Sequence, residues 1–166
     1  MNNDYVIAEC GIRQLHARAI DTVWRKDAEG FAACFAEQGE WKIAGLHMRG
    51  RAEIATTFAR LLGLCERVVL TAGTPVLEVS QGTGIGRVQC VEFAKMMDGT
   101  SAMTVGIYFD RYVEEAGEWR FKWRHWAMQY RGPIDLSAQF VKTTDYGPFP
   151  GMPGPDEPTF TRKPAT

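Results

Sequence analysis

The hydrophobic pattern changes period once along this chain, and that change restricts the possible folds more than any other feature. Up to Leu62, apolar residues recur at three- and four-residue steps; from Val68 to Tyr130 they alternate in extended runs. The first pattern belongs to helices with one buried stripe, the second to strands. A long helix is predicted from about Asp4 to Asp27, with Ile12, Leu15, Ala19 and Val23 inward and His16, Ile20 and Trp24 as a second row. Ala28 to Phe35 predicts a short helix ended by Gly39, and Glu40 to Ala44 a short strand. Gly45 and Gly50 bracket a turn before a third helix, Arg51 to Leu62.

Four strands are predicted at Val68–Val79, Gly86–Met97, Ala102–Val113 and Trp119–Tyr130. Their turns are short, and Asp98-Gly99 is a strong hairpin signal. Short turns demand antiparallel neighbours, so the sheet is a meander. Helices followed by a curled sheet make the fold class α+β. In the last strand strict alternation sends Trp119, Phe121, Trp123 and His125 one way, and Arg120, Lys122, Arg124, Trp126 and Met128 the other. A guanidinium among tryptophans marks either a binding cleft or a surface strand whose basic stems cover apolar neighbours. Arg120 and Lys122 are read as surface residues, while for Arg124 both readings stand.

Composition narrows the function classes. A formal charge of -1 gives no electrostatic case for nucleic acid or an anionic membrane, and no apolar run is long enough to span a bilayer. Met1-Asn-Asn-Asp-Tyr5 lacks the basic and apolar regions of a secretory signal, so a cytoplasmic location is expected. Cys10, Cys34, Cys65 and Cys90 are scattered without zinc spacing, and read as small core residues without disulfides. No metal ligands and no cofactor are expected. Seven of the eight prolines lie between Pro133 and Pro164. The chain is therefore divided into a domain over 1–133 and a Pro/Gly-rich arm over 134–166, with Phe140, Tyr146, Phe149 and Met152 as anchors. The arm is expected to be ordered to about Thr159 and to pack on its own domain or a neighbouring subunit.

Four segments carry a family resemblance: Ile12-Arg-Gln-Leu15, Phe35-Ala-Glu-Gln-Gly-Glu-Trp-Lys-Ile43, Gly50-Arg-Ala-Glu-Ile54, and Gly117-Glu-Trp-Arg-Phe121 through Tyr130-Arg-Gly-Pro133. With the order of elements, they resemble the SnoaL-like branch of the nuclear transport factor 2-like superfamily. That branch includes hexachlorocyclohexane dehydrochlorinase and, more distantly, scytalone dehydratase. The resemblance implies a cone-shaped α+β barrel whose curved sheet and helices enclose an apolar pocket. It also implies an acid–base dyad, an Asp on the first helix and a His from the sheet, with an arginine on the last strand. Arg124 falls on that arginine position, but Trp24 occupies the Asp position and the His position falls near Thr71. The usual dyad is therefore not expected.

Other residues can supply chemistry. Glu92 shares a strand face with Val88 and Cys90 that the resemblance directs inward, and it is read as a structural partner of Arg124 or, unpaired, as a base. Asp110 has the parity of Tyr108 but is expected to be solvated near its strand end. His16, His47 and His125 are read as structural or surface residues, with His16 and His47 kept as alternative catalytic candidates. Small Gly106 and Thr104 beside large rings are expected to leave room for a ligand. The expected protein is a small-molecule pocket protein, a cofactor-free lyase or isomerase for a hydrophobic carbonyl, phenolic or polycyclic compound. Arg124 would stabilise an oxyanion, Tyr108 or Glu92 would move the proton, and Trp24, Trp41, Val88, Thr104, Trp126 and Met128 would form the wall. The alternative is a non-catalytic binding or scaffold domain. A homo-oligomer, dimer or trimer, is expected through the outer sheet face and the arm.

Overall fold

The computed structural model describes residues 3–135, 138, 141–142 and 144–160. The proposed anchor Phe140 and the tail over 161–166 lie outside these described residues. In chain order the elements are α1 (Asn3–Arg25), α2 (Ala28–Ala33), β1 (Phe35–Ile43), β2 (Leu46–Arg49), α3 (Arg51–Gly63), β3 (Cys65–Ala72), β4 (Val76–Ser80), β5 (Thr83–Met96), β6 (Ser101–Glu115) and β7 (Glu118–Gly132). The sheet runs β2-β1-β7-β6-β5-β3, with β4 also on β5, and it is not closed. Every pairing is antiparallel except β1 with β7. The α+β class is as expected, with three helices against a curved sheet. No helix among the described residues is long and apolar enough to cross a membrane.

Local chemistry sets the boundaries. Asp27 caps α2 by accepting a hydrogen bond from the Gly30 amide at 2.9 Å. That helix ends at Ala33, so Phe35 opens a strand where a helix residue was expected. Gly39 lies inside β1 at a register shift, because a Cβ there would stand 2.9 Å from the Phe121 carbonyl oxygen. The expected turn between Gly45 and Gly50 is itself strand β2. The predicted Val68–Val79 strand splits into β3 and β4 around Gly73-Thr-Pro75, where proline offers no N–H to the ladder.

Strand β7 departs most from the sequence reading. Its ladder with β6 skips Lys122, between Phe121 and Trp123, and skips Gln129, between Met128 and Tyr130. Each skipped residue is a β-bulge that shifts the side-chain parity. Trp119 and Phe121 therefore share the inner face with Arg124, Trp126 and Met128, while Trp123 and His125 face outward.

The main core joins Ile12, Leu15 and Ala19 of α1 to Ile54 and Phe58 of α3 and to Phe35, Tyr112 and Phe121 of the sheet. Cys34, Cys65 and Cys90 are buried, whereas Cys10, expected in the core, is exposed; all four are free thiols. On the outer face, Tyr146 and Met152 pack over Phe109, Trp123 and Ala127. Buried Lys42 donates to the Pro155 carbonyl at 2.9 Å, and the Val141 amide donates to the Gln129 carbonyl at 3.0 Å.

His125 lies on this outer face, 2% exposed and stacked on Trp123. Burial, and then the neighbouring Lys42 charge, push its pKa down to about 4. The native imidazole is thus neutral where the unfolded one, with a pKa of about 6.5, takes up a proton. Stability falls as pH drops from about 6.5 to about 4, because unfolding binds that proton. His125→Gln is expected to remove about 1.4 kcal/mol per pH unit from that slope, measured by urea unfolding across the window.

Candidate functional site

Between α1, α3 and the inner sheet face lies a cavity of about 110 Å³. Ile20 and Val23 of α1 and Phe58 and Leu61 of α3 form its apolar roof. Its polar groups come from the sheet: Trp41 on β1, Glu92 on β5, Tyr108 on β6, and Arg124 and Arg131 on β7. The parallel register sets Trp41 beside Arg124, and the antiparallel one sets Asp110 opposite it.

Arg124 is 5% exposed, with its guanidinium carbon 3.8 Å from the Tyr108 ring centroid and 4.2 Å from that of Phe121. Two aromatic faces thus hold the cation. Its Nε lies 3.2 Å from Asp110 Oδ1, an ion pair whose N–H and oxygen do not meet hydrogen-bond geometry. Burial opposes the charge on Arg124, but Asp110 together with Tyr108, Cys90 and Tyr112 outweighs it, and the pKa is raised. Asp110 has no solvent exposure. Burial lifts its pKa to about 6, against the lowering effects of Arg124 and the Tyr112 hydroxyl.

A buried chain of polar groups extends behind the pair. The Tyr112 hydroxyl lies 3.4 Å from Asp110 Oδ2 and 2.8 Å from His16 Nε2. His16 Nε2 is also 3.6 Å from Asp110 Oδ2, but burial, and then Arg124, hold its pKa well below the usual value, so it is neutral. Burial likewise raises the pKa of Tyr108 and of Tyr112, and lifts the Cys90 thiol to about 11. Arg124 and Asp110 are therefore the charges at the cavity's inner end. Two neutral donors stand with Arg124 there: the Tyr108 hydroxyl and the Trp41 indole. Trp41 Nε1 is buried without a hydrogen bond, although the indole lies near enough to Tyr108 to lower its pKa slightly.

Four expected residues, Arg124, Tyr108, Glu92 and Trp41, line the cavity together. Trp24 does not: it is 61% exposed, and its indole N–H donates to Asp21. Residues eight apart on a helix differ by about 80° around the axis, which carries Trp24 past the stripe that buries His16. Val88, Trp126 and Met128 are inward-facing, but they pack with Cys90 and Tyr108 in a cluster beside the cavity. The expected space above Gly106 is filled, since a Cβ there would meet the Trp126 ring at 2.5 Å. Thr104 is buried between Glu92 and Arg131 in the cross-strand ladder, off the cavity wall. Thr71 is exposed on β3, and Leu70 and Ala72 face the cavity in its place.

The partner of Arg124 is Asp110, not Glu92, and Asp110 is sealed rather than solvated. The missed signal is the shared parity of Tyr108, Asp110 and Tyr112, because β6 runs to Glu115 and leaves Asp110 well inside the strand. The sequence places His16 on a row beside the buried stripe of α1, but nothing in it marks Asp110, 94 positions away, as a neighbour. His47 pairs with Glu40 at 2.5 Å near the surface. Among the described residues no cluster of His, Cys, Asp and Glu could hold a metal.

The SnoaL-like domain model matches residues 5–125. No curated protein matches the chain. Among solved structures, a protein of unknown function from Mycobacterium tuberculosis, Rv3472, is 25% identical; the match covers 82% of this chain and 80% of that one, with a TM-score of 0.71. A protein from Novosphingobium aromaticivorans assigned as a scytalone dehydratase is 18% identical over 85% of this chain and 95% of that one, at a TM-score of 0.75. Hexachlorocyclohexane dehydrochlorinase LinA-type3 from Novosphingobium barchaimii is 17% identical over 84% and 97%, at 0.73.

Tyr112→Phe removes the hydroxyl between His16 and Asp110 and leaves two buried polar atoms short of a partner. A loss of about 1–3 kcal/mol in unfolding free energy is expected, read from denaturant midpoints at unchanged slope.

Proposed function

The chain belongs to the SnoaL-like domain family, and on that premise we propose that it is a small-molecule pocket protein acting as a cofactor-free lyase or isomerase on carbonyl or phenolic compounds. One observation carries this reading: Arg124, Tyr108 and Trp41 bring a cation and two neutral donors to the inner end of a cavity whose remaining wall is apolar apart from Glu92 and Arg131. Donors fixed where negative charge develops on oxygen stabilise an enolate or phenolate. The dehydratase and dehydrochlorinase among the structural neighbours support the lyase class.

The roles follow from the electrostatics. Tyr108, its pKa raised by burial, keeps its proton and serves as a donor rather than a base. Glu92 is the carboxylate on the cavity wall and takes the proton from the carbon beside the carbonyl. Charge moves onto the oxygen facing Arg124, and then either a leaving group departs or the proton returns at another carbon. The cavity, at about 110 Å³, is near the size of an apolar cavity of about 150 Å³ that binds benzene. This favours single-ring ligands within the expected class over polycyclic ones.

The second reading is a binding protein without turnover. It is favoured by Trp24 and Thr71, which occupy the positions implied for the usual dyad and are both exposed. The experiment is a thermal-shift screen of single-ring ketones, aldehydes and phenols, followed by turnover assays on each binder. Glu92→Gln is expected to keep ligand binding and lower turnover by about 10²–10⁴-fold. Undiminished turnover in that variant rules out Glu92 as the base. Binding with no turnover selects the second reading, and no binder at all removes both.

A further inference from the structure

Arg124 already has a counter-ion, and that fact bears on the ligand's charge. The Asp110 carboxylate sits 3.2 Å from the guanidinium with no solvent exposure, so the pair is neutral as a unit. A standing anion placed on Arg124 would set a second negative group against a guanidinium that Asp110 already neutralises, where like charges repel strongly, while Glu92 and Arg131, the other charged residues of the wall, carry formal charges of opposite sign. We infer that the cavity selects ligands without a standing charge, and that an anion enters only together with one proton, which Asp110 takes from solvent. The inference rests on the proposed ligand position at Arg124 and adds the charge class of the substrate: an uncharged carbonyl compound whose oxygen becomes negative only during reaction.

The surroundings leave Asp110 as the group that must adjust. From α1 it faces His16, held neutral by burial; from its own strand, Tyr112, which remains protonated; from β5, Cys90, also protonated. From β7 it faces Arg124, the charged neighbour that stays charged. Glu92 lies on the cavity wall, and its field reaches Cys90 and Tyr108. Arg131 of β7 is the second cation on that wall. An anion placed on Arg124 itself meets the Asp110 carboxylate already set against the guanidinium, with a proton affinity raised to about 6 by burial.

Two single-ring probes test this: benzamide, neutral throughout, and benzenesulfonate, an anion throughout, each titrated calorimetrically from pH 5 to 8 and in competition with the other. Benzamide affinity is expected to be flat. Benzenesulfonate affinity is expected to fall about tenfold per pH unit above about 6, with one proton taken up per anion bound, counted from buffers of different ionisation enthalpy. Asp110→Asn is expected to flatten that dependence and tighten benzenesulfonate about a hundredfold at pH 8. If this variant does not fold, the proton count on the native protein still decides. Anion binding that is flat with pH and takes up no proton overturns the inference while leaving the pocket reading intact. Failure of both probes to bind the native protein overturns the pocket reading, and the inference with it.

Discussion

Two opposite charges sealed from water, Arg124 and Asp110, set the terms for everything around them. A buried ion pair is costly to desolvate, and losing one partner would leave an uncompensated charge worth about 3–5 kcal/mol. The β6/β7 register must therefore keep the two opposite one another. The rings of Tyr108 and Phe121 must cover the guanidinium. Helix α1 must bring His16 down onto the far side, where Tyr112 links it to the carboxylate. Much of the inner sheet face under α1 is built to hold this pair, and the cavity lies beside it.

That arrangement also sets the electrostatics of the cavity. Apart from Glu92 and Arg131 its other walls are apolar, and its inner end presents a neutralised cation and two uncharged donors. Such a surface discriminates weakly between uncharged ligands by charge, and strongly between an oxygen at rest and one gaining negative charge. The scaffold is the family's, and Arg124 stands where the resemblance implies an arginine, whereas Trp24 and Thr71, at the positions implied for the dyad, are exposed and off the cavity.

The fold was legible because hydrophobic period is a local property. The order of helices, the meander and its turns all follow from spacings within a few residues of each other. That Arg124, Tyr108, Glu92 and Trp41 face one cavity is legible through strand parity combined with resemblance. What escaped were facts about distance in space. Asp110 was assigned to solvent because its strand was read two residues short, and nothing local shows that His16 closes over it. Trp24 followed a helical row that drifts out of the core as it lengthens. Gly106 suggested a void, but its neighbour across the ladder is large enough to fill it.

The two bulges of β7 have a consequence for how chains of this kind compare with one another. Lys122 and Gln129 take no place in the ladder with β6, so they are where the strand's length can vary without rotating its faces. Between them, Arg124, Trp126 and Met128 form a block in one phase, flanked by inward residues in the other: Trp119 and Phe121 before, Arg131 after. A relative shorter by one residue at either point would present the same inner face, whereas a deletion anywhere inside the block would turn part of it outward. An alignment of such strands is thus correct only when its gaps fall at 122 and 129. Counting residues back from the arginine would otherwise exchange the cavity wall for the surface under the arm.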